Sequence, residues 1–83
     1  MDNKAVVIFR ICKKNFETDL EIPLDISAND LVNALNSAYA LDIDTTDMKN
    51  CYLKTENPIA LLKGKRLLYE FGVRNGTVIN FTE

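Results

Sequence analysis

Lys4 to Cys12 is dense in β-branched residues and stops at the polar Lys13-Lys14-Asn15, which predicts a first strand. Alternation sends Ala5, Val7, Phe9 and Ile11 to one face and Val6, Ile8, Arg10 and Cys12 to the other. Glu17 to Leu24 alternates more cleanly, with Thr18, Leu20, Ile22 and Leu24 opposed to Glu17, Asp19 and Glu21. It predicts a second strand joined to the first by a hairpin through residues 13–16. Pro23 has no N–H for a ladder, so this strand lies at a sheet edge or ends there.

The period then changes. Ser27-Ala28-Asn29-Asp30 has the form of a capping box, with Asp30 a shorter stand-in for Glu. Behind it Leu31, Val32, Leu35, Ala38 and Tyr39 share one helical face, which predicts a helix over residues 28–40. Asn29, Asn33, Asn36 and Ser37 make the wet side; their weak helix propensity means that packing on a sheet holds the helix. Cys51 to Glu56 predicts a third strand, with Cys51, Leu53 and Thr55 inward and Tyr52 and Lys54 outward. Asn57-Pro58 marks a turn, Ile59 to Leu62 a short fourth strand, and Gly64 another break. Leu67 to Gly72 reads as one helical turn closed by glycine. Asn75-Gly76 then turns the chain into a last strand, where Thr77, Ile79 and Phe81 alternate with Val78 and Asn80.

A helix between the second and third strands must cover one face of a mixed sheet. The last strand is best placed beside the first and parallel to it. That is an α+β architecture of the β-grasp kind, with about five strands and one main helix on one face. The expected core is Val7, Phe9, Ile11, Leu20, Ile22, Leu31, Leu35, Leu53, Leu68, Val73, Ile79 and Phe81.

With 83 residues the chain makes one domain, residues 1–83, near the lower size for a core without staples. A hydrophobic share of 47% is too high for a disordered chain. The formal charge of −2 argues against a phosphate-backbone footprint, and no nucleic acid is expected. The basic runs Lys13-Lys14 and Lys63-Gly64-Lys65-Arg66 read as solvated turns. No stretch approaches the roughly 18 apolar residues of a membrane span, and Met1-Asp2-Asn3-Lys4 does not open a signal peptide. A cytoplasmic protein with no direct membrane insertion is expected.

Site chemistry is sparse. The absence of histidine removes the commonest general base and metal ligand, and no enzyme is expected. Asp42, Asp44 and Asp47 invite a calcium reading, but the calcium-loop template wants Gly sixth and Glu twelfth. Counted from Asp42 those places hold Asp47 and Leu53, so neither a metal nor any other cofactor is expected. Cys12 should face out and Cys51 in, two strands apart at about 9–10 Å, beyond disulfide reach.

Leu20-Glu21-Ile22-Pro23, the helix opening at Ala28 with Leu31-Val32, and the later run Leu68, Phe71, Val73, Asn75-Gly76 together resemble the YukD/EsaB family. These are ubiquitin-like proteins of the type VII (WXG-substrate) secretion systems of Gram-positive bacteria. The resemblance runs from about Lys4 to Phe81. It departs from the family in the aspartate-rich loop at 42–47 and the basic segment at 63–66. It implies a ubiquitin-like accessory or regulatory component without catalysis. It also implies contact with the membrane-anchored pseudokinase-like component or the FtsK-like ATPase. An adaptor domain of an unrelated bacterial pathway is the alternative, since fold alone does not fix function.

The face of the sheet away from the helix carries Val6, Ile8, Tyr52 and Val78, framed by Arg10, Lys54 and Asn80. An aromatic and aliphatics with an Arg on the rim have the character of a protein interface. No Gly-Gly follows Val78-Ile79-Asn80-Phe81-Thr82-Glu83, whereas ubiquitin-type modifiers act through a terminal glycine carboxylate. The expectation is docking with no covalent substrate.

Overall fold

The computed structural model describes residues 3–44, 46 and 51–82. Strand β1 (Lys4–Ile11) leads through a 3-10 turn (Cys12–Lys14) into β2 (Phe16–Pro23). Helix α1 (Ala28–Tyr39) follows, then β3 (Leu53–Glu56), β4 (Ala60–Leu62), a further 3-10 turn (Leu68–Phe71) and β5 (Val78–Phe81). The strands form one sheet in the order β2-β1-β5-β3-β4, with β1 and β5 parallel and the other neighbours antiparallel. This is the β-grasp arrangement that the alternation predicts.

Placement on the sheet follows the predicted faces. Ala5, Val7, Phe9 and Ile11 of β1 are buried, as are Ile79 and Phe81 of β5 and Leu53 and Thr55 of β3. Helix α1 covers that face through Ala28, Leu31, Val32 and Leu35. Phe9, Leu31, Leu53, Leu62, Leu68 and Ile79 are fully buried. Side chains of this kind stabilise by about 1.5–3 kcal/mol each when removed from water. All expected core residues are buried except Leu20, which packs half-buried against the cluster near the sheet edge.

The helix is fixed at both ends by side chains. The Asp30 amide donates to Ser27 Oγ (3.1 Å) and the Ser27 amide to Asp30 Oδ2 (3.3 Å), a complete capping box. At the other end the helix stops at Tyr39, and Ala40 takes the left-handed conformation (φ 51°) in place of the usual glycine. Asn36 holds this end: its Nδ2 donates to the Ile43 carbonyl (3.2 Å) and its Oδ1 accepts the Ile43 amide (3.0 Å). Asn36 therefore leaves the wet side for a half-buried position, while Ala38, assigned to the apolar face, is exposed. The buried stripe is Ala28, Leu31, Val32 and Leu35, and it ends before Ala38.

Strand bounds differ at the ends. Cys12 belongs to the 3-10 turn and Phe16 to β2, because the connection closes early at Asn15, whose φ is 53°. Leu24 lies beyond β2, and Pro23 is its last residue on a sheet edge, as its missing N–H requires. Cys51 and Tyr52 precede β3, and Ile59 precedes β4 with 91% of its surface exposed. Asp47, one of the three loop aspartates, lies outside the described residues. Cys12 is an exposed thiol; Cys51 is buried, its Sγ 3.4 Å from the Asp44 carbonyl, and the two are not bonded to each other.

Leu35 is 3% exposed at the centre of the helix–sheet contact. Leu35→Ala is expected to lower stability by about 2–5 kcal/mol in urea unfolding, a large part of the total for a small domain. Reduction with a thiol is expected to leave the melting temperature of the unaltered protein in place; a fall of about 10 °C would contradict a cysteine-independent core.

Candidate functional site

The face opposite α1 can be read row by row from the strand registers. Asp19, Ile8, Val78 and Glu56 stand side by side across β2, β1, β5 and β3. One row over, Glu17, Arg10, Asn80, Lys54 and Leu61 run from β2 to β4. On the other side of the first row, Val6 of β1 faces Glu21 of β2. Val6 is 49% exposed, and Ile8 and Val78 are partly exposed.

The backbone beneath this face is held by the turn before β5. Asn75 Oδ1 accepts the Val6 amide (2.8 Å), Gly76 N donates to the Val6 carbonyl (2.9 Å), and Ile8 N donates to the Thr77 carbonyl (2.9 Å). A side-chain carbonyl thus continues the parallel ladder one step past the end of β5. Gly76 has φ of 89°, a conformation that favours glycine, so the Asn-Gly pair serves the turn and the ladder together. Thr77 is fully buried; its hydroxyl accepts from Arg74 N (3.0 Å) and donates to the Asn57 carbonyl (2.9 Å), tying this turn to the one between β3 and β4.

Val6, Ile8 and Val78 come together on adjacent strands. Tyr52 does not join them. It lies two residues before β3, beyond the row of Arg10, Asn80 and Lys54, exposed between buried Cys51 and Leu53. The intervening row is polar and internally bonded. Arg10 reaches Glu17 Oε1 (3.0 Å) and Glu56 Oε2 (3.7 Å), and Asn80 Nδ2 donates to Glu56 Oε2 (2.9 Å). Asn80, expected as a frame residue, is 8% exposed at the middle of the face, and the Cys12 thiol lies 3.9 Å from its Oδ1. The four expected site residues thus form a group of three and a separate aromatic.

Sequence reading missed the bonding along this polar row and also Leu61, 47% exposed on this face opposite Lys54. Alternation within one strand tells which face a residue takes; only the register between strands tells which residues stand together. The Arg10 pairs join side chains that are 38% and 57% exposed, so solvent screens them.

The acidic loop after α1 bonds to itself. Asp44 Oδ1 accepts from the Thr46 hydroxyl (2.6 Å) and the Thr46 amide (3.0 Å). The hydroxyl first, and then the amide, hold the Asp44 carboxyl below the usual aspartate range against a small opposing effect of burial. A lowered folded-state value stabilises above the unfolded value, and that contribution is lost as pH falls from the unfolded value through the folded one. Among the described residues no group of three or more acidic, cysteine or histidine side chains is placed to hold a metal ion. No helix of the described residues is long and apolar enough to cross a membrane.

The sheet order, helix α1 across one face and the parallel pairing of β1 with β5 define a ubiquitin-like β-grasp domain. Residues 6–80 match the family described as "WXG100 protein secretion system (Wss), protein YukD", and the chain belongs to that family. Among curated proteins none matches in sequence. Solved structures agree on the fold. The ubiquitin-like domain of tubulin-binding cofactor B superposes with a TM-score of 0.72 at 21% identity, covering 96% of this chain and 89% of that one. The C-terminal ubiquitin-like domain of mouse tubulin-specific chaperone e gives 0.73 at 11% identity, covering 95% and 84%. The UBL domain of Plasmodium falciparum Dsk2 gives 0.60 at 23% identity, covering 93% and 96%. At these identities the likeness carries the fold alone.

Two measurements test this description of the site. Arg10→Met is expected to change stability by less than about 1 kcal/mol in chemical denaturation, as for exposed ion pairs. In an NMR pH titration, Thr46→Ala is expected to raise the pKa of the Asp44 carboxyl; an unchanged value would show that the hydroxyl does not hold it.

Proposed function

We propose that the chain is a non-catalytic docking component of the WXG100 secretion system, acting in the cytoplasm on the face of its sheet that α1 leaves uncovered. The observation that carries this reading is the group Val6, Ile8 and Val78, set on adjacent strands over a backbone fixed by Asn75, Gly76 and Thr77. Apolar side chains on a rigid strand surface lose little freedom on binding, and so convert buried area into affinity efficiently. The partner is a cytoplasmic domain of the secretion machinery, the pseudokinase-like membrane-anchored component or the FtsK-like ATPase. Docking there recruits the protein to the inner face of the membrane with no insertion of its own and no covalent link. Tyr52 is a second anchor on the far side of the polar row. Family membership favours this over an adaptor role in another pathway.

Binding of purified variants to each machinery component tests the proposal. Ile8→Asp and Tyr52→Asp are each expected to weaken capture by about 2 kcal/mol, roughly thirtyfold. Ile8 and Val78 share a strand pair, so their effects should be non-additive, whereas those of Ile8 and Tyr52 should add. Both aspartate variants should stay folded, since neither side chain is in the core. Undiminished capture by a folded Ile8→Asp/Tyr52→Asp protein would move the site to the α1 side and residues 42–50.

A further inference from the structure

The free edge of β2 has a specific polarity. The Leu24 amide bonds to the Asn3 carbonyl, and the pairing of β1 with β2 runs in step from Lys4–Pro23 to Ile11–Phe16. Ile8 N and the Val6 carbonyl bond instead to Thr77 and Gly76 on the β5 side. Odd positions of β1 therefore bond to β2 and even ones to β5. In an antiparallel pair the bonded residues alternate. Phe16, Thr18, Leu20 and Ile22 thus turn their backbone groups to β1, while Glu17, Asp19 and Glu21 turn theirs outward.

Among the described residues no strand pairs with β2 on that side. Of those outward groups, the Asp19 carbonyl accepts a long bond from the neighbouring Thr18 hydroxyl (3.3 Å). Each outward position carries a carboxylate on the uncovered face of the sheet, and all three are exposed. On the opposite, helix-facing side the same edge is apolar. Phe16 is 38% exposed and stacks on Tyr39 at 5.8 Å, and Leu20 is half-buried. Tyr39 in turn stacks on buried Phe9 at 5.0 Å.

We propose that this edge accepts an extended segment of a partner protein as a sixth strand, and that the segment alternates basic and apolar residues. Its backbone would pair with the groups at Glu17, Asp19 and Glu21. Its Lys or Arg side chains would lie across from those carboxylates, and its apolar ones against Phe16, Leu20 and Tyr39. Opposite charges directly across a strand pair stabilise it, and like charges destabilise it. That rule decides the occupant. A second copy of this edge would set Glu and Asp against Glu and Asp, so self-pairing is disfavoured, while a basic strand is favoured, most of all at Asp19 and Glu21, since Glu17 already pairs with Arg10. Main-chain bonds at such an edge supply affinity and alternate side chains supply selectivity. The proposal is independent of the outer-face docking reading, which uses other side chains and no edge backbone.

The test uses the whole chain and a capped synthetic peptide of about eight residues alternating Lys with Val, the length of β2. Amide exchange and chemical shifts are followed by NMR. Slowed exchange at Glu17, Asp19 and Glu21 on peptide addition is the expected result. Asp19→Lys/Glu21→Lys should weaken binding at least about tenfold, and raising salt from 0.1 to 1 M should weaken it for the unaltered chain. Asp19→Pro removes one outward donor at a place where an edge strand tolerates proline, and should weaken binding too. Ile59→Ser, a change at the most exposed apolar side chain, should leave it unchanged. The proposal is overturned if the peptide leaves those amides unprotected, if a Glu-Val peptide binds equally, or if the folded charge-reversed chain binds undiminished. Concentration-dependent protection of the same amides without peptide would also overturn it, in favour of self-pairing.

Discussion

The parallel pairing of β1 with β5 is the contact on which the rest of the molecule depends. It puts the two ends of the described chain side by side in the middle of the sheet, with β2 outside one and β3 outside the other. Once those two strands lie together, the connection between β2 and β3 must cross the sheet, and only one face is available to a helix leaving Ser27. The core then collects between α1 and the buried side chains of β1, β5 and β3. The Asn75 side chain and the Gly76 and Thr77 backbones secure this pairing beyond the last regular bond, so a short turn late in the sequence stabilises the first strand.

Much of this is legible in the residues, because burial on a strand or helix leaves a period. The faces of β1 and β5, the capping box of Ser27 and Asp30, and the edge position announced by Pro23 are all local signals, and each matches the fold. The ends of elements are less legible. Nothing about Ala40 advertises a left-handed helix stop, and the cause lies in Asn36 reaching forward to Ile43. Cys51 and Tyr52 alternate as a strand does, yet lie outside the ladder, because alternation reports burial and does not report backbone pairing.

The uncovered face shows the same division. Val6, Ile8, Tyr52 and Val78 can each be assigned to it from one strand at a time, but their grouping depends on the registers between strands. Those registers set Arg10, Asn80 and Lys54 in one row and bring Glu17 and Glu56 to either side of the Arg10 guanidinium. Asn80 is buried on a nominally wet face because it sits on the central strand with longer side chains to both sides. A polar bar of this kind separates two apolar areas that a single-strand reading merges.

The closure of the sheet by its last strand also bears on how the chain is made. Pairs such as Ile8 with Val78 join residues 70 positions apart, and contacts of such long range form late and slowly. Before β5 is made, the even backbone groups of β1 have no partner strand on that side, and β1 and β2 could pair only as a lone hairpin. An isolated hairpin is marginally stable at best. The pairing of β1 with β5 cannot form until residues 76–81 have been made, and unpaired strand edges of that kind are what makes incompletely folded chains prone to aggregate.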